Sequence, residues 1–499
     1  MSESKPNSER ETSLLSISRG AGLFAVGRGV SNTLGLVLNV VLSRVLGAGL
    51  YGVYTYVNVL LSLFAILTQL GSDKSVVRFI PEYEGQPRKR HVVTVLAYGT
   101  CFLAGVVVSC GVYLSAPFIS SITLNSQVFT NVLRITAIII PFNSAANVTA
   151  AMFKSIERMD YSVAVTSIAQ PALRLVFVGG AVVLGFSIVG AAAGLVVSGL
   201  LGFLFAVWVI TTRTDLLSAA HPTGKEIAEY YDFSVPLTLN QIGSFAYRRT
   251  DILMVGFLLS GGAVGVYNAA FLVSQVLSLP LSGVNQLFPA VASRLYQTNQ
   301  IEELESVYSS ITRIVLTLSV FPAGVVLVYS GELLSVFGQT FTEGSVVLQL
   351  FVVSQLANVL VGPSGYLLMM TDHQYLTMLN QVGSGIVNAV LNYVLLVNLG
   401  LVGAAVATAT VISCVNLLSL GQLWYYERFN PYDSTFLKPV FSGVVAAGTM
   451  YAVSMFIDGL LLLVAGSMVG VILFAGSVYY LGLEPTDIRV AKQMLGQER

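Results

Sequence analysis

Runs of about twenty mostly apolar residues follow one another along almost the whole chain of 499 residues. A helix needs about 20 such residues to cross the hydrocarbon core of a bilayer, and it satisfies its own backbone hydrogen bonds there. We therefore predict an all-α polytopic membrane protein. Its fourteen predicted transmembrane helices are residues 19–46, 52–71, 91–115, 127–152, 161–183, 187–211, 230–257, 263–290, 307–330, 342–370, 376–398, 400–426, 436–457 and 460–482.

Charged residues support this class because they are scarce and unevenly placed. They make up only 10% of the chain, whereas soluble domains carry about 25%. With the N-terminus in the cytoplasm, the inner segments hold 18 Lys and Arg residues, and the outer side holds only Arg44, at the outer end of the first span. This asymmetry follows the positive-inside rule. It predicts a multi-pass protein of the cell (plasma) membrane with both termini in the cytoplasm.

The sequence also contains an internal repeat with an offset of 213 residues. Gly-Val-Tyr at 52–54 recurs at 265–267, and Val-Gly-Ala-Ala at 189–192 recurs at 402–405. Six spans make up one repeat, and six is an even number, so both halves enter the membrane in the same sense. Two lobes related by a pseudo-twofold axis along the membrane normal, with substrate between them, are a common transporter plan.

The repeat and the spans together predict the organisation of the chain. The predicted parts are a disordered cytoplasmic N-terminus at 1–18, an N-lobe of six spans at 19–211, a cytoplasmic interlobe linker at 212–229, a C-lobe of six spans at 230–426, two further spans at 436–482 and a cytoplasmic tail at 483–499.

Apart from Arg19 and Arg44 near the ends of the first span, six arginines lie inside predicted spans. Each costs about 2.5–3.5 kcal/mol at the bilayer centre and normally faces the protein interior or a wet cavity. Arg313 is near a helix start, so we expect it to snorkel towards the interface. Arg28 and Arg174 have no acidic residue nearby in the sequence, which favours a functional role. Arg134 and Arg249 suit a structural role equally well.

Helical spacing places polar side chains of several spans on single faces. Arg28 and Asn32 share one face of the first span, and the repeat offset maps Arg28 to Gln241 in the seventh. We predict that these faces line one cavity between the lobes. The predicted binding residues are Arg28, Asn32, Asn39, Arg174, Gln241, Arg248, Asp251, Gln275 and Asn388. Two alternatives remain: single amides often serve helix packing, and Arg248 and Asp251 suit an internal i, i+3 pair.

Such a cavity would be net cationic, because Asp251 is the one acid in its polar faces. Guanidinium groups bind phosphate oxygens in a bidentate way, so the predicted ligand is anionic. The sequence has no catalytic motif, no P-loop and no Cys or His pattern with metal-ligand spacing. We therefore expect no enzymatic activity and no cofactor. The zero net charge gives no indication of a nucleic-acid partner.

Four motifs resemble the polysaccharide biosynthesis branch of the multidrug/oligosaccharidyl-lipid/polysaccharide (MOP) exporter superfamily. They are LG-x-x-x-YG-x-Y at 46–54, SVVRFIPEYEG at 75–85, AAMFKSIERMDY at 150–161 and GVYNAAFLVSQVLSLPLSGVNQLFPAVASRLYQ at 265–297. The resemblance implies a flippase that moves polyprenyl-(pyro)phosphate-linked oligosaccharide to the outer leaflet, by alternating access, for surface polysaccharide or glycoprotein assembly. It also implies that Arg28 lines the cationic cavity. The partners expected on this basis are the lipid-linked oligosaccharide, H⁺ or Na⁺, and glycosyltransferases or a polymerase of the same pathway.

Three alternatives compete with this hypothesis. Multidrug or cation efflux by the same fold would need buried carboxylates, and only Asp251 qualifies. A membrane glycosyltransferase or glycan polymerase would need a long extramembrane loop with acidic residues, and the longest inner connection, 72–90, contains no DxD motif. A non-transporting scaffold would not explain the clustered intramembrane arginines.

Overall fold

A computed structural model describes residues 5–217, 221–457 and 459–481, with side chains throughout these ranges except at 5–25, 247, 434 and 460. Every regular element in the described ranges is helical, which confirms the predicted fold class. The described residues divide into two compact units, with the boundary after Gly265. The predicted tail at 483–499 lies outside the described residues.

The first unit contains ten helices and the start of an eleventh. They are α1 (Lys5–Gln69), α2 (Ser72–Glu82), α3 (Pro87–Ile122), α4 (Gln127–Ala137), α5 (Ile140–Ser155), α6 (Met159–Val163), α7 (Gln170–Arg174), α8 (Gly180–Val183), α9 (Ser187–Arg213), α10 (Gly224–Leu258) and α11 (Gly261–Ser274). Helix α1 begins at Lys5, so the structure is already helical within the segment 1–18 that the sequence indicates as disordered.

The second unit begins within α11 and continues to α19. Its further helices are α12 (Leu279–Gln297), α13 (Ile301–Val328), α14 (Ser330–Ser335), α15 (Ser345–Leu360), α16 (Ser364–Met370), α17 (Gln374–Glu427), α18 (Leu437–Val453) and α19 (Gly459–Leu481). Three short 3₁₀ turns complete it, at Gln275–Ser278, Gln339–Gly344 and Ser434–Phe436.

The described helices include nine segments that are long and apolar enough to cross a membrane, and a tenth if α4 and α5 form one bent span. Helices α1 and α17 each contain two of the predicted spans, joined at non-helical residues Gly47 and Gly400. The more polar α10 and the 17-residue α18 are not among the nine. These assignments are compatible with fourteen crossings, and that count stays a prediction.

Two of the proline positions coincide with breaks in helical geometry. Pro141 lies at the start of α5, where α4 and α5 meet at a bend of 51°. Pro171 lies in α7, which π-helical segments flank at Ala164–Ala169 and Leu175–Gly179. Proline removes a helical hydrogen bond and crowds the preceding turn, so both breaks have a local cause.

The internal repeat extends to the turns between helices. Three pairs of residues with positive φ, between 45° and 138°, are 213 or 214 positions apart: Gly85 and Asn299, Asn125 and Gly338, and Ser187 and Gly400. Side chains other than glycine seldom adopt positive φ, so their recurrence at one offset is informative. Positions of positive φ thus recur at the repeat offset, and only Asn125 and Gly338, at 45° and 138°, differ widely in φ.

The glycines of the repeated motif permit close backbone packing between α1 and the first turn of α11. A Cβ atom at Gly52 would stand 1.6 Å from the carbonyl oxygen of Gly261 and 2.8 Å from the amide nitrogen of Gly265. Gly52 and Gly265 are equivalent in the repeat. The motif thus keeps glycine where one helix backbone meets another.

Helix α10 is held by an aromatic core that it shares with α2, α3 and α5. Phe79 of α2 stacks on Tyr230 of α10 with ring centroids 6.3 Å apart, and it meets Phe233 edge-on at 5.4 Å. Phe153 at the end of α5 is buried in the same core. This packing fixes the first half of α10 against the elements that carry the candidate site.

Arg313 of α13, which the sequence predicts to snorkel towards the interface, reaches an acid in the connection between α17 and α18. The side chain is buried, and its Nη1 lies 2.7 Å from Oδ2 of Asp433 and also bonds Thr435. Desolvation opposes ionisation of Asp433, but hydrogen bonds from Thr435 and Arg313 hold the pKa of that carboxyl below its ordinary value. The acid that pairs with Arg313 is 120 residues away in the sequence, which hid the partnership.

Candidate functional site

On the predicted polar face of the first span, two side chains are exposed and one amide is hydrogen-bonded within the protein. Arg28 and Asn32 of α1 are exposed, and neither has an ion pair or side-chain hydrogen bond within the described ranges. Asn39 is half-buried, donates from Nδ2 to the Gly35 carbonyl at 2.7 Å and accepts from the Tyr51 hydroxyl at 2.8 Å. Arg28 and Asn32 are therefore free to meet a ligand, whereas Asn39 also supports the helix.

Arg174 lies in α7, between the two π-helical segments, and is half-buried. Its charge acts on the hydroxyl of buried Tyr54 in α1, so the guanidinium lies near the second half of that helix. Such π-helical turns are frequent at functional sites. By contrast, Arg134 lies over the ring of Tyr113, 5.5 Å from its centroid, which favours a structural role for this arginine.

Helix α10 presents three of the predicted residues in different environments. Gln241 is half-buried and donates from Nε2 to Oδ1 of Asp73 in α2 at 3.0 Å. Arg248 is exposed. Asp251 is buried, accepts from the Ile252 amide at 2.8 Å and acts electrostatically on Arg249. The structure thus couples Asp251 electrostatically to Arg249, whereas the i, i+3 spacing suggests Arg248.

The two predicted residues of the second unit are neutral amides with local partners. Gln275 is half-buried, and its Oε1 accepts from the Ser278 hydroxyl at 3.2 Å. Asn388 of α17 is buried and accepts from Nδ2 of Asn392 at 2.8 Å. The Oδ1 atom of Asn392 is buried without a hydrogen-bond partner in the described structure. These contacts occur within the second unit and add no charge there.

Two cations near Arg28 escape prediction from the sequence. Lys74 lies in the first turn of α2 and Lys154 in the last turn of α5. Lys74 directly precedes one family motif and Lys154 lies within another, but neither lies on a predicted polar face. Lys154 is exposed, and the charges of Lys74, Arg28 and Asp73 all act on it. The Lys74–Lys154 proximity depends on how α2 packs on α5, which helical spacing cannot give.

A second feature that the sequence does not reveal ties the start of α10 to the start of α3. Nη1 of Arg88 lies 2.8 Å from Oε1 of Glu226, and Nη2 donates to the His221 carbonyl at 3.1 Å. Thr223 and Glu226 also form a capping box at this helix start. Hydrogen bonds from Arg88 and from Thr223 lower the pKa of Glu226 to about 2.

Residues 17–295, more than half of the chain, match the family described as polysaccharide biosynthesis protein. The chain belongs to this family. A second match, to the family named MatE, covers residues 236–394. Both are consistent with the MOP superfamily indicated by the motifs.

A curated relative is the probable low-salt glycan biosynthesis flippase Agl15 of Haloferax volcanii, which is 32% identical over 272 residues. That match covers 52% of this chain and 55% of the relative, so the chain spans about half the length of the curated relative it matches.

Two solved structures have the same fold. One is lipid II flippase MurJ in an inward closed conformation, with a TM-score of 0.72 at 14% identity, covering 92% of this chain and 98% of the other. The other is a multidrug resistance MATE family transporter of the MOP superfamily in an inward-facing conformation. It has a TM-score of 0.63 at 16% identity and covers 81% of this chain and 98% of the other. At these identities the likeness shows the fold of a membrane protein with several spans.

Proposed function

We propose that the protein is a flippase that translocates polyprenyl-(pyro)phosphate-linked oligosaccharide from the cytoplasmic to the outer leaflet. The observation that carries the proposal is the set of arginines in the helices of the first unit. Arg28 and Arg248 are exposed, Arg174 is half-buried, and none of the three has a carboxylate partner within the described ranges. A guanidinium at membrane depth needs water or an anion. A lipid phosphate supplies the anion, and the name of the curated relative agrees with this substrate class.

In this proposal the arginines bind the phosphate while the sugars meet nearby hydroxyl and amide groups. The amide of Asn32 is exposed. Four further amides form hydrogen bonds within the protein in this structure: those of Asn39, Gln241, Gln275 and Asn388. Loose hydrogen bonds of this kind suit a site that must also release its cargo. The polyprenyl tail would stay in the bilayer during alternating access.

The remaining parts of the proposal concern the setting. We place both termini on the cytoplasmic side of the plasma membrane. The same proposal includes coupling of transport to H⁺ or Na⁺. It also includes glycosyltransferases that supply the glycolipid and a polymerase of the same pathway that uses it.

The test uses purified protein in liposomes that contain a fluorescent polyprenyl-pyrophosphate oligosaccharide, and it follows the appearance of the label in the opposite leaflet. Arg28→Ala and Arg174→Ala should insert normally and lose most of the wild-type rate. Arg213→Ala is the matched control, because Arg213 is exposed at the end of α9, outside the predicted spans. If both cavity variants flip the lipid as fast as the control, the phosphate role of the arginines is wrong.

The second candidate function is efflux of a drug or cation, which the MatE match over 236–394 favours. A cation substrate needs a buried carboxylate, and Asp251 is one. Transport of a cationic dye by wild type, with no movement of the glycolipid and a loss of dye transport in Asp251→Asn, would replace the flippase proposal.

A further inference from the structure

Asp73 is a half-buried carboxylate where several helix ends meet. It is the second residue of α2, and Gly71, which precedes the helix, has a left-handed backbone conformation. The side chain of Asp73 is 18% exposed. Its Oδ2 lies 3.4 Å from Nζ of Lys74, and its Oδ1 accepts from Nε2 of Gln241 at 3.0 Å. One acidic side chain therefore contacts both a cation and helix α10.

One cation, Lys74, contacts this carboxylate, and two more, Arg28 and Lys154, from two other helices, are within electrostatic range of the same group of side chains. The charges of Lys74, Asp73 and Arg28 all act on Lys154, and α5 packs against both α1 and α2. The cluster thus holds three positive groups and one negative group within electrostatic range. Such an excess of positive charge is stabilised by a further anion, and both lysine and arginine are suited to phosphate oxygens.

The same carboxylate lies at a junction that holds α10 close to α2. A Cβ atom at Gly71 would stand 2.2 Å from the carbonyl oxygen of Ser234, so the two backbones touch. The hydroxyl of Tyr83 also donates to Glu229 of α10, at 3.3 Å. The bond from Gln241 to Asp73 links this junction directly to the cation cluster.

We propose that Arg28, Lys74 and Lys154 form an entry subsite for the pyrophosphate of the lipid-linked glycan, which Asp73 occupies as an internal counter-anion and the ligand displaces. The proposal rests on the flippase function proposed above and extends it. Displacement of Asp73 breaks its bond to Gln241 and so loosens α10 from α2. Two phosphates match the cluster better than one, because they carry more charge to share among three cations.

Binding of undecaprenyl pyrophosphate and of undecaprenyl monophosphate to the purified full-length protein tests the subsite. Lys154→Met should weaken pyrophosphate binding about tenfold, the value of one charge-assisted contact. Asp73→Asn should tighten it severalfold, because the competing charge is removed. Arg158→Met is the matched control: Arg158 is four residues from Lys154, exposed and paired with Asp160 at 2.8 Å.

A second measurement follows α10 directly. In a background with Cys101, Cys110 and Cys414 replaced by alanine, Tyr83→Cys and Glu229→Cys are joined by a short bifunctional thiol reagent. Undecaprenyl pyrophosphate should lower the cross-linking yield, and the monophosphate should lower it less. Asp73→Asn added to this pair should lower the yield without ligand, because Gln241 then bonds a neutral amide instead of a carboxylate.

The outcomes separate the subsite from the flippase function. Equal pyrophosphate affinity in Lys154→Met and Arg158→Met, with wild type flipping the glycolipid, overturns the subsite alone. Equal affinity of wild type and Asp73→Asn, or a cross-linking yield that the lipid leaves unchanged, overturns the counter-anion role. Inorganic pyrophosphate that competes as well as the lipid shows a site for a soluble anion, against the proposal. Binding of neither lipid by wild type overturns the subsite and the proposed function together.

Discussion

Substitution of Gly52 by alanine tests the backbone contact that the repeated motif permits. An alanine Cβ there would lie 1.6 Å from the carbonyl oxygen of Gly261, and ordinary van der Waals contact begins near 3.4 Å. The first turn of α11 would have to move by about 2 Å relative to α1. Gly49 is the matched control, since it lies one turn earlier in α1 and an alanine Cβ there would have nothing within 4 Å.

The expected difference follows from the terms that the two variants do not share. Alanine is favoured over glycine inside a helix by about 1 kcal/mol, and both variants gain this amount. Only Gly52→Ala also pays for overpacking, which costs about 1–3 kcal/mol and more when backbone must shift. The free energy of unfolding of Gly52→Ala should therefore lie below that of Gly49→Ala by about 1–3 kcal/mol.

Thermal unfolding of the purified variants in one detergent checks this difference. Gly49→Ala should unfold at or above the wild-type temperature, and Gly52→Ala should unfold a few degrees below Gly49→Ala. Equal unfolding temperatures for the two variants would refute the reasoning. They would mean that α1 and α11 do not meet at the backbone, and that glycine at this position serves another purpose.

Two further predictions concern ion pairs. Asp433→Ala removes the acid that faces buried Arg313 and should lower the free energy of unfolding. The loss should be at most about 3 kcal/mol, because Asp433 itself is half-exposed. Asp433→Asn should lower the free energy of unfolding by less in the same thermal assay. Glu226 has a pKa lowered to about 2 from 4.5, so its contribution to stability is complete above pH 4.5 and is lost as the pH falls towards 2. The stability difference between wild type and Glu226→Gln should shrink over that range, and a constant difference would contradict the pairing with Arg88.

The fold was predictable because membrane helices are recognisable as long apolar runs. The repeat was predictable because its motifs contain glycines at turns and at close backbone contacts, and these recur in the sequence. The structure places breaks at Gly47 and Gly400, at the junctions between predicted spans. The helical face containing Arg28 and Asn32 was also predictable, since the 3.6-residue period fixes which side chains share a face.

Contacts between distant segments were not predictable from period or spacing. Gln241 bonds Asp73 across 168 residues, and Arg313 bonds Asp433 across 120, so neither partner could be seen in a local window. Within α10, the i, i+3 spacing suggests Arg248 as the partner of Asp251, whereas the structure couples Asp251 to Arg249. Side-chain length and the rotation of one helix against its neighbours decide such pairings.

The arginines of the candidate site have an electrical consequence for the proposed transport. Arg28, Arg174 and Arg248 belong to the first unit, whereas Gln275 and Asn388 in the second are neutral. Arginines fixed in the protein neutralise a phosphate while they hold it, but they do not travel with it to the other leaflet. The crossing is then electrogenic. With the cytoplasm negative, each elementary charge on the head group gains about 2.3 kcal/mol per 100 mV of membrane potential. A polarised membrane would therefore pull the glycolipid outward and oppose its return.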